Sequence, residues 1–122
     1  MSYVEGFVVA VPAANKETYR KHAADAAPMF KEFGARRMVE AWGDNVPDGK
    51  LTDFRRAVQA TADETVAFSW DEWPDKATRD AGMKKMMEDP RMDPSTPGNP
   101  PMPFDGKRMI FGGFEPVVEV KA

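Results

Sequence analysis

Apolar positions crowd first into the run Tyr3-Val4-Glu5-Gly6-Phe7-Val8-Val9-Ala10-Val11, which Pro12 ends. The run is rich in β-branched and aromatic residues and is apolar at both parities. Phe7, Val9 and Val11 share one side of a strand, and Val4, Val8 and Ala10 the other. Such a strand needs cover on both faces. The period then changes. Tyr19, Ala23, Ala26, Phe30 and Phe33 recur at intervals of three and four, the stripe of an amphipathic helix predicted over 15–33. Asn15 reads as its N-cap, Glu17 favours the dipole in the first turn, and Gly34 is the stop. Pro28 predicts a bend.

A second strand is predicted from Arg36 to Trp42, followed by the turn-forming stretch 43–49. Residues 51–60 fit either a strand or two helical turns. The pattern leans toward a hairpin with the strand Thr65 to Trp70, on which Val66, Phe68 and Trp70 share a face. Asp75 caps a second helix, where Met83, Met86 and Met87 lie on one side and read as packing against the sheet. Residues 89–106 hold six of the eleven prolines, which excludes regular structure and makes a long loop. It is a lid, an inter-subunit arm or a disordered connection. Met92, Met102 and Phe104 favour a segment that packs across its own domain or its partner and helps close a cavity. The last strand runs from Arg108 to Val120. Gly112-Gly113 predicts a bulge or close backbone approach there, and Pro116 an edge or bend.

The order strand, helix, strand, strand, helix, strand is the split βαβ, ferredoxin-like α+β arrangement with an antiparallel sheet. A length of 122 residues fits a single domain over 1–122. Two helices cover one face of that sheet, yet the first strand demands cover on both. A second copy supplies it most economically, so a homodimer with two sheets packed face to face is expected.

Composition narrows the chemistry. With no cysteine there are no disulfides, iron–sulfur clusters, thiolate zinc sites or Cys nucleophiles. One histidine cannot build a multi-His metal site unless subunits share it, so neither a metal nor a tightly held cofactor is expected. The net charge of −3 argues against nucleic acid as a partner. No apolar run is long enough to span a bilayer, and the first residues lack a basic-then-apolar signal region, so a soluble cytoplasmic protein is expected. There is no Gly-rich phosphate loop or dinucleotide fingerprint.

Four segments carry a family resemblance. They are Tyr3 to Val9, Asp63 to Trp70, Met86-Met87-Glu88-Asp89-Pro90-Arg91-Met92, and Met102-Pro103-Phe104-Asp105-Gly106-Lys107-Arg108-Met109 with its continuation to Glu115. In these the chain resembles the bacterial YbaA-like family of uncharacterised proteins. The resemblance implies the dimeric α+β barrel superfamily, in which two ferredoxin-like sheets pack face to face. Other branches of that superfamily are cofactor-independent monooxygenases, haem-degrading enzymes, dye-decolorising peroxidases and stress-response proteins. No activity carries over from the YbaA-like branch.

His22 borders the apolar stripe of the first helix. It reads as a general base or a haem ligand at the barrel mouth, or as a flanking residue with no task. Tyr19, His22, Trp42, Arg55 and Trp70 are the candidates to line a cavity for a compact, planar ligand; the tryptophans serve equally as core or interface. Trp73, beside Pro74, is expected at a rim. The doublets Arg36-Arg37 and Arg55-Arg56, on predicted strands, place one guanidinium on each face. There it clamps a carboxylate or enolate, or pairs with Glu40, Asp53 or Asp71. Asp71-Glu72 is no proton-sharing pair, because adjacent strand residues point to opposite faces. Two functions remain open. One is a protein that binds or transforms a small organic molecule between sheet and helices. The other is a non-catalytic dimeric structural or stress-related module. A cavity on the order of several hundred Å³ touching His22 and an arginine separates them.

Overall fold

In the computed structural model, which describes residues 2–121, the N-terminal apolar run is β1 (Tyr3–Pro12). It lies inside a four-stranded antiparallel sheet. The chain continues through α1 (Lys16–Glu32), β2 (Arg37–Trp42), the short α2 (Phe54–Ala57), β3 (Glu64–Trp73), α3 (Lys76–Glu88) and β4 (Ile110–Phe114). The sheet order β2-β3-β1-β4 is that of the ferredoxin-like α+β fold. β1 pairs with β3 from Tyr3↔Trp73 to Pro12↔Glu64, so the two apolar strands form the sheet's centre.

Strand parity decides what each side chain meets. Val9 and Val11 of β1, with Ala67 of β3, pack under Tyr19 of α1. At the other end of this covered face lies Trp73, fully buried and 6.4 Å from the Phe30 ring. Gly82 of α3 allows that packing: a Cβ there would stand 2.5 Å from the Trp73 ring and 2.8 Å from the Phe33 carbonyl oxygen. The expected rim position of Trp73 is therefore corrected. β3 continues three residues beyond Trp70, which puts Trp73 on the helix-facing parity of Ala67, Ser69 and Asp71.

The opposite parity carries Val4 and Val8 of β1, Phe68 and Trp70 of β3, and Ile110 and Phe114 of β4. Only one end of this face is covered. There α2 and the residues after it set Val58 against Ala10 and Val66, and Phe54 meets Phe68 edge-on at 5.9 Å. The remainder is an open apolar trough of about 670 Å³.

Residues 51–60 thus form neither a hairpin strand nor two helical turns but one short helix, started by Asp53, whose carboxylate accepts from the Arg56 N–H at 2.7 Å. Arg55 and Arg56 consequently stand on a helix rather than a strand. Asn15 precedes α1 without capping it; its amide donates to the Pro103 carbonyl at 3.3 Å. α1 runs through Pro28 unbroken and stops at Gly34, whose φ of +115° only glycine adopts freely. Asp75 caps α3 as expected, accepting from the Thr78 N–H at 2.7 Å. Met86 is buried beneath α3, but Met87 points into solvent. β4 ends at Phe114 rather than Val120, and its register from Val4↔Phe114 to Val8↔Ile110 runs through Gly112-Gly113 without a bulge.

The proline-rich segment is held at both ends. Arg91 donates to Glu32 of α1 at 2.7 Å, and the Asn99 amide donates to the Pro90 and Asp93 carbonyls at 2.9 and 2.8 Å. At its end Arg108 forks onto both oxygens of Glu64 at 2.7 Å and donates to the Gln59 carbonyl at 2.8 Å. That fork and the Thr61 N–H hold the Glu64 carboxyl down at about 2.

Candidate functional site

Cross-strand register builds the site. On β3, Ser69 and Asp71 face the helices. Asp71 stands opposite Glu5 of β1 and Met38 of β2, and Ser69 opposite Phe7 and Glu40. Pairing therefore gathers Glu5, Glu40 and Asp71 on one side of the sheet, although they are far apart in sequence. α1 lays Tyr19, His22, Ala23, Ala26 and Phe30 over them, and the segment after α3 contributes Met92, Met102, Phe104 and Met109. The cavity they line holds about 170 Å³ and is partly open to solvent.

The three carboxyls are treated differently. Glu5 is buried and met by Arg79 of α3 at 2.6 Å, which also donates to the Tyr3 hydroxyl at 3.1 Å. Glu40, on the edge strand, keeps solvent contact along a groove with Lys16, Arg20 and Trp42. Its carboxylate shares the Tyr19 hydroxyl proton at 3.0 and 3.2 Å. Burial raises the Glu40 pKa, and the Tyr19 and Ser69 hydroxyls oppose the rise. The Tyr19 hydroxyl is itself pushed up, by burial first and by the Glu40 charge second.

Asp71 is the extreme case. It is 2% exposed, and its Oδ2 is buried with no hydrogen-bond partner. Burial, then the charges of Glu40 and Glu5, push its carboxyl up to about 7. A lone buried polar oxygen costs about 1–3 kcal/mol, and more when charged, so a fold keeps one only against that cost. Near neutral pH this group is balanced between proton donor and proton acceptor.

His22 is half-buried, with its ring edge-on to Phe104 at 6.1 Å. Burial lowers its pKa, against the opposing charge of Asp25. His22, Ala26, Met92 and Met102 line both the inner cavity and an outer pocket of about 300 Å³ with Asp25, Arg91, Asp93 and Asn99. These four side chains are common to the two spaces. The cavity between sheet and helices touches His22 but no arginine; the pocket that touches both His22 and Arg91 lies outside it, between α1 and the proline-rich segment.

Of the sequence candidates, the fold brings Tyr19 and His22 into the inner cavity. Trp42 flanks it, 5.8 Å from the Tyr19 ring. Trp70 and Arg55 do not belong. Trp70 faces the uncovered side, its indole N–H on Glu72 at 3.0 Å. Arg55 spends its guanidinium on the Glu64 and Thr61 carbonyls at 2.8 and 2.7 Å. Arg56 pairs with Asp53 and Arg37 with Glu72, whereas Glu40 and Asp71 receive no arginine. Asp71 and Glu72 do diverge to opposite faces; the partners of Asp71 lie across the sheet. Ser69 was missed, and Glu40 and Asp71 were named only as arginine partners; Phe104 stands at the cavity on the segment expected to help close it. One signal was available: Asp71 is an acid at the helix-facing parity of β3, between the positions of Ala67 and Trp73 that pack in the core. No three His, Asp or Glu side chains among the described residues are placed to hold a metal ion.

Residues 2–106 match the family model described as "Protein of unknown function (DUF1428)". The chain belongs to this family. It is 60% identical over 119 residues to the "Uncharacterized protein YbaA" of Escherichia coli K12, covering 98% of this chain and 99% of that one. The protein of the same name from Shigella flexneri matches equally. A crystal structure described as a "dimeric ferredoxin-like protein" from an uncultured marine organism is similar with a TM-score of 0.62 and 12% identity, over 98% of each chain, which shows the fold. No helix among the described residues is long and apolar enough to cross a membrane.

Proposed function

We propose that this protein binds a compact organic molecule in the helix-covered cavity and exchanges a proton with it through Asp71. The observation that carries the reading is the Asp71 carboxyl, almost wholly buried, facing the cavity with one oxygen unpartnered. Of the buried polar atoms without a partner among the described residues, Asp71 Oδ2 is the one whose side chain lines this largely apolar cavity, where an incoming donor could satisfy it. Glu40, joined to Tyr19, supplies a second carboxyl on the neighbouring strand. The chemistry available is proton transfer, the step an isomerisation requires, with Asp71 giving or taking the proton and Glu40 answering it. The loop side chains Met92, Met102 and Phe104 act as the cover.

The same reading takes the protein as a homodimer joined through its uncovered sheet faces. Phe68, Ile110 and Phe114 are 43%, 46% and 61% exposed there, an apolar patch of the kind that marks an association surface. The dimeric description of the similar marine protein supports it.

A thermal-shift screen of small metabolites against the wild type, His22→Ala and Asp71→Asn tests the site. Compounds should raise the wild-type Tm and raise that of Asp71→Asn less. Stabilisers indifferent to Asp71→Asn, or none at all, return the protein to the non-catalytic dimeric module.

A further inference from the structure

Resting on that reading of the cavity, we propose that its ligand is a small primary amine. It is held as an ammonium by Asp71 and Glu40, with its apolar part against Tyr19, Phe104 and the loop methionines. Charge balance is the first argument. Three carboxyls turn toward the helices; Arg79 answers Glu5, and among the described residues no Lys, Arg or His forms an ion pair with Glu40 or Asp71. His22 does not fill that place, because burial favours its neutral form. Glu40 is solvated along its groove, so the place for a cation inside the cavity is at the buried, unpartnered Asp71, with Glu40 at its edge.

Hydrogen-bond balance is the second. Asp71 Oδ2 accepts nothing, and both Glu40 oxygens share one proton from Tyr19. Acceptors outnumber donors. A carboxylate or phosphate ligand would bring more acceptors and like charge, and an alcohol offers one donor. A primary ammonium brings three donors and the missing charge. The walls agree. Tyr19 and Phe104, 5.9 Å apart, present aromatic surface to a cation, and Met38, Met92 and Met102 accommodate an apolar body. About 170 Å³ limits that body to roughly a single ring.

A pH signature follows. The titratable groups facing Asp71 are Glu5 from β1, Glu40 from β2, and Tyr19 and His22 from α1; Arg79 from α3 sits on Glu5. The loop side chains at the cavity do not titrate. An ammonium favours ionised Asp71, so below pH 7 binding must expel the Asp71 proton. Affinity should rise with pH by at most about tenfold per unit up to pH 7, then level.

Calorimetry with benzylamine tests this, beside benzyl alcohol, benzoate and benzyltrimethylammonium. Each is measured at pH 6 and 8, in buffers of different ionisation heat, on the wild type, Asp71→Asn and Glu40→Gln. Benzylamine should bind best, releasing close to one proton at pH 6 and almost none at pH 8. Asp71→Asn should weaken it at least tenfold and abolish the release. Glu40→Gln should weaken it and, by removing a charge that raises the Asp71 pKa, reduce the release at pH 6 without abolishing it, which covers the case of a poorly folded Asp71 variant. The proposal is overturned if benzyl alcohol, benzoate or the quaternary cation binds as well as benzylamine, if neither variant weakens binding, or if benzylamine fails to bind at millimolar concentration. A neutral compound bound in an Asp71-dependent way would sink the amine and leave the cavity reading standing. Loss of all binding removes both.

Discussion

The two faces of the sheet are built from the same strands and end in opposite conditions. The face under α1 and α3 buries carboxyls, Glu5 and Asp71, among Val9, Val11 and Trp73. The other face shows phenylalanines to solvent and has no charge within its trough beyond the rim residue Glu115. In a chain whose only aim was stability the distribution would be reversed, since burying a carboxyl and exposing Phe both cost free energy. The difference shows that strand parity sorts the side chains but does not complete either face: the covered side keeps an unpartnered carboxyl oxygen and the open side keeps exposed aromatic surface, the two features on which the proposed ligand and the proposed second sheet rest.

The largest expected effect concerns the covered side. Folded Asp71 titrates near 7, well above an unfolded aspartate, so between roughly pH 4 and 7 the native state holds the extra proton. Stability attributable to this group therefore falls as pH rises through that window and is flat above it. Asp71→Asn should be more stable than the wild type at pH 8, by at most about 4 kcal/mol, with the gap closing toward pH 4. Urea unfolding at several pH values checks it; parallel curves for the two proteins would mean that Asp71 is not a buried, proton-retaining carboxyl.

The open side is broken next. Phe68→Glu with Phe114→Glu places like charges face to face, and should weaken self-association about a hundredfold or more, roughly 3 kcal/mol, while the monomer stays folded. Sedimentation equilibrium reads it directly. A wild type that sediments at 13.6 kDa at micromolar concentration removes the second sheet from the comparison.

A smaller effect sharpens how the covered side is closed. Arg108→Met removes the fork on Glu64 and should cost about 2 kcal/mol, because Glu64 remains buried without its partner. Stability conferred by Glu64 is present above about pH 4.5 and is lost as pH falls toward 2, so the cost should shrink in acid. Trypsin should also cut the variant at Arg91 sooner. Equal cleavage rates would show that the segment is held without Arg108. Smallest is Gly34→Ala, at about 1–2 kcal/mol: φ is +115° and a Cβ would meet the Thr78 methyl at 2.7 Å. Thermal unfolding measures it, and a neutral result would mean that α1 ends differently over the covered face.

Local pattern was enough for most elements and for parity, but not for the helix at 54–57 or for the end of β4 at Phe114. The two-sided run Tyr3–Val11 announced a strand that needs cover on both faces, the Tyr19-to-Phe33 stripe a helix, and the order of elements the ferredoxin-like fold, because strand and helix periods are written in neighbouring residues. Tyr19 and His22 were legible as site residues for the same reason: they lie on or beside the stripe that must face the sheet. The rest was decided at distances of tens of residues. Asp71 meets Glu5 and Glu40 only through register, and Phe104 reaches Tyr19 only after the proline-rich segment returns along α1; Arg55, by contrast, is drawn from the site by the nearby carbonyls of Thr61 and Glu64. Periodicity assigns a side chain to a face, but the burial that shifts a pKa and the partner that a carboxyl lacks depend on what the remainder of the chain brings over it.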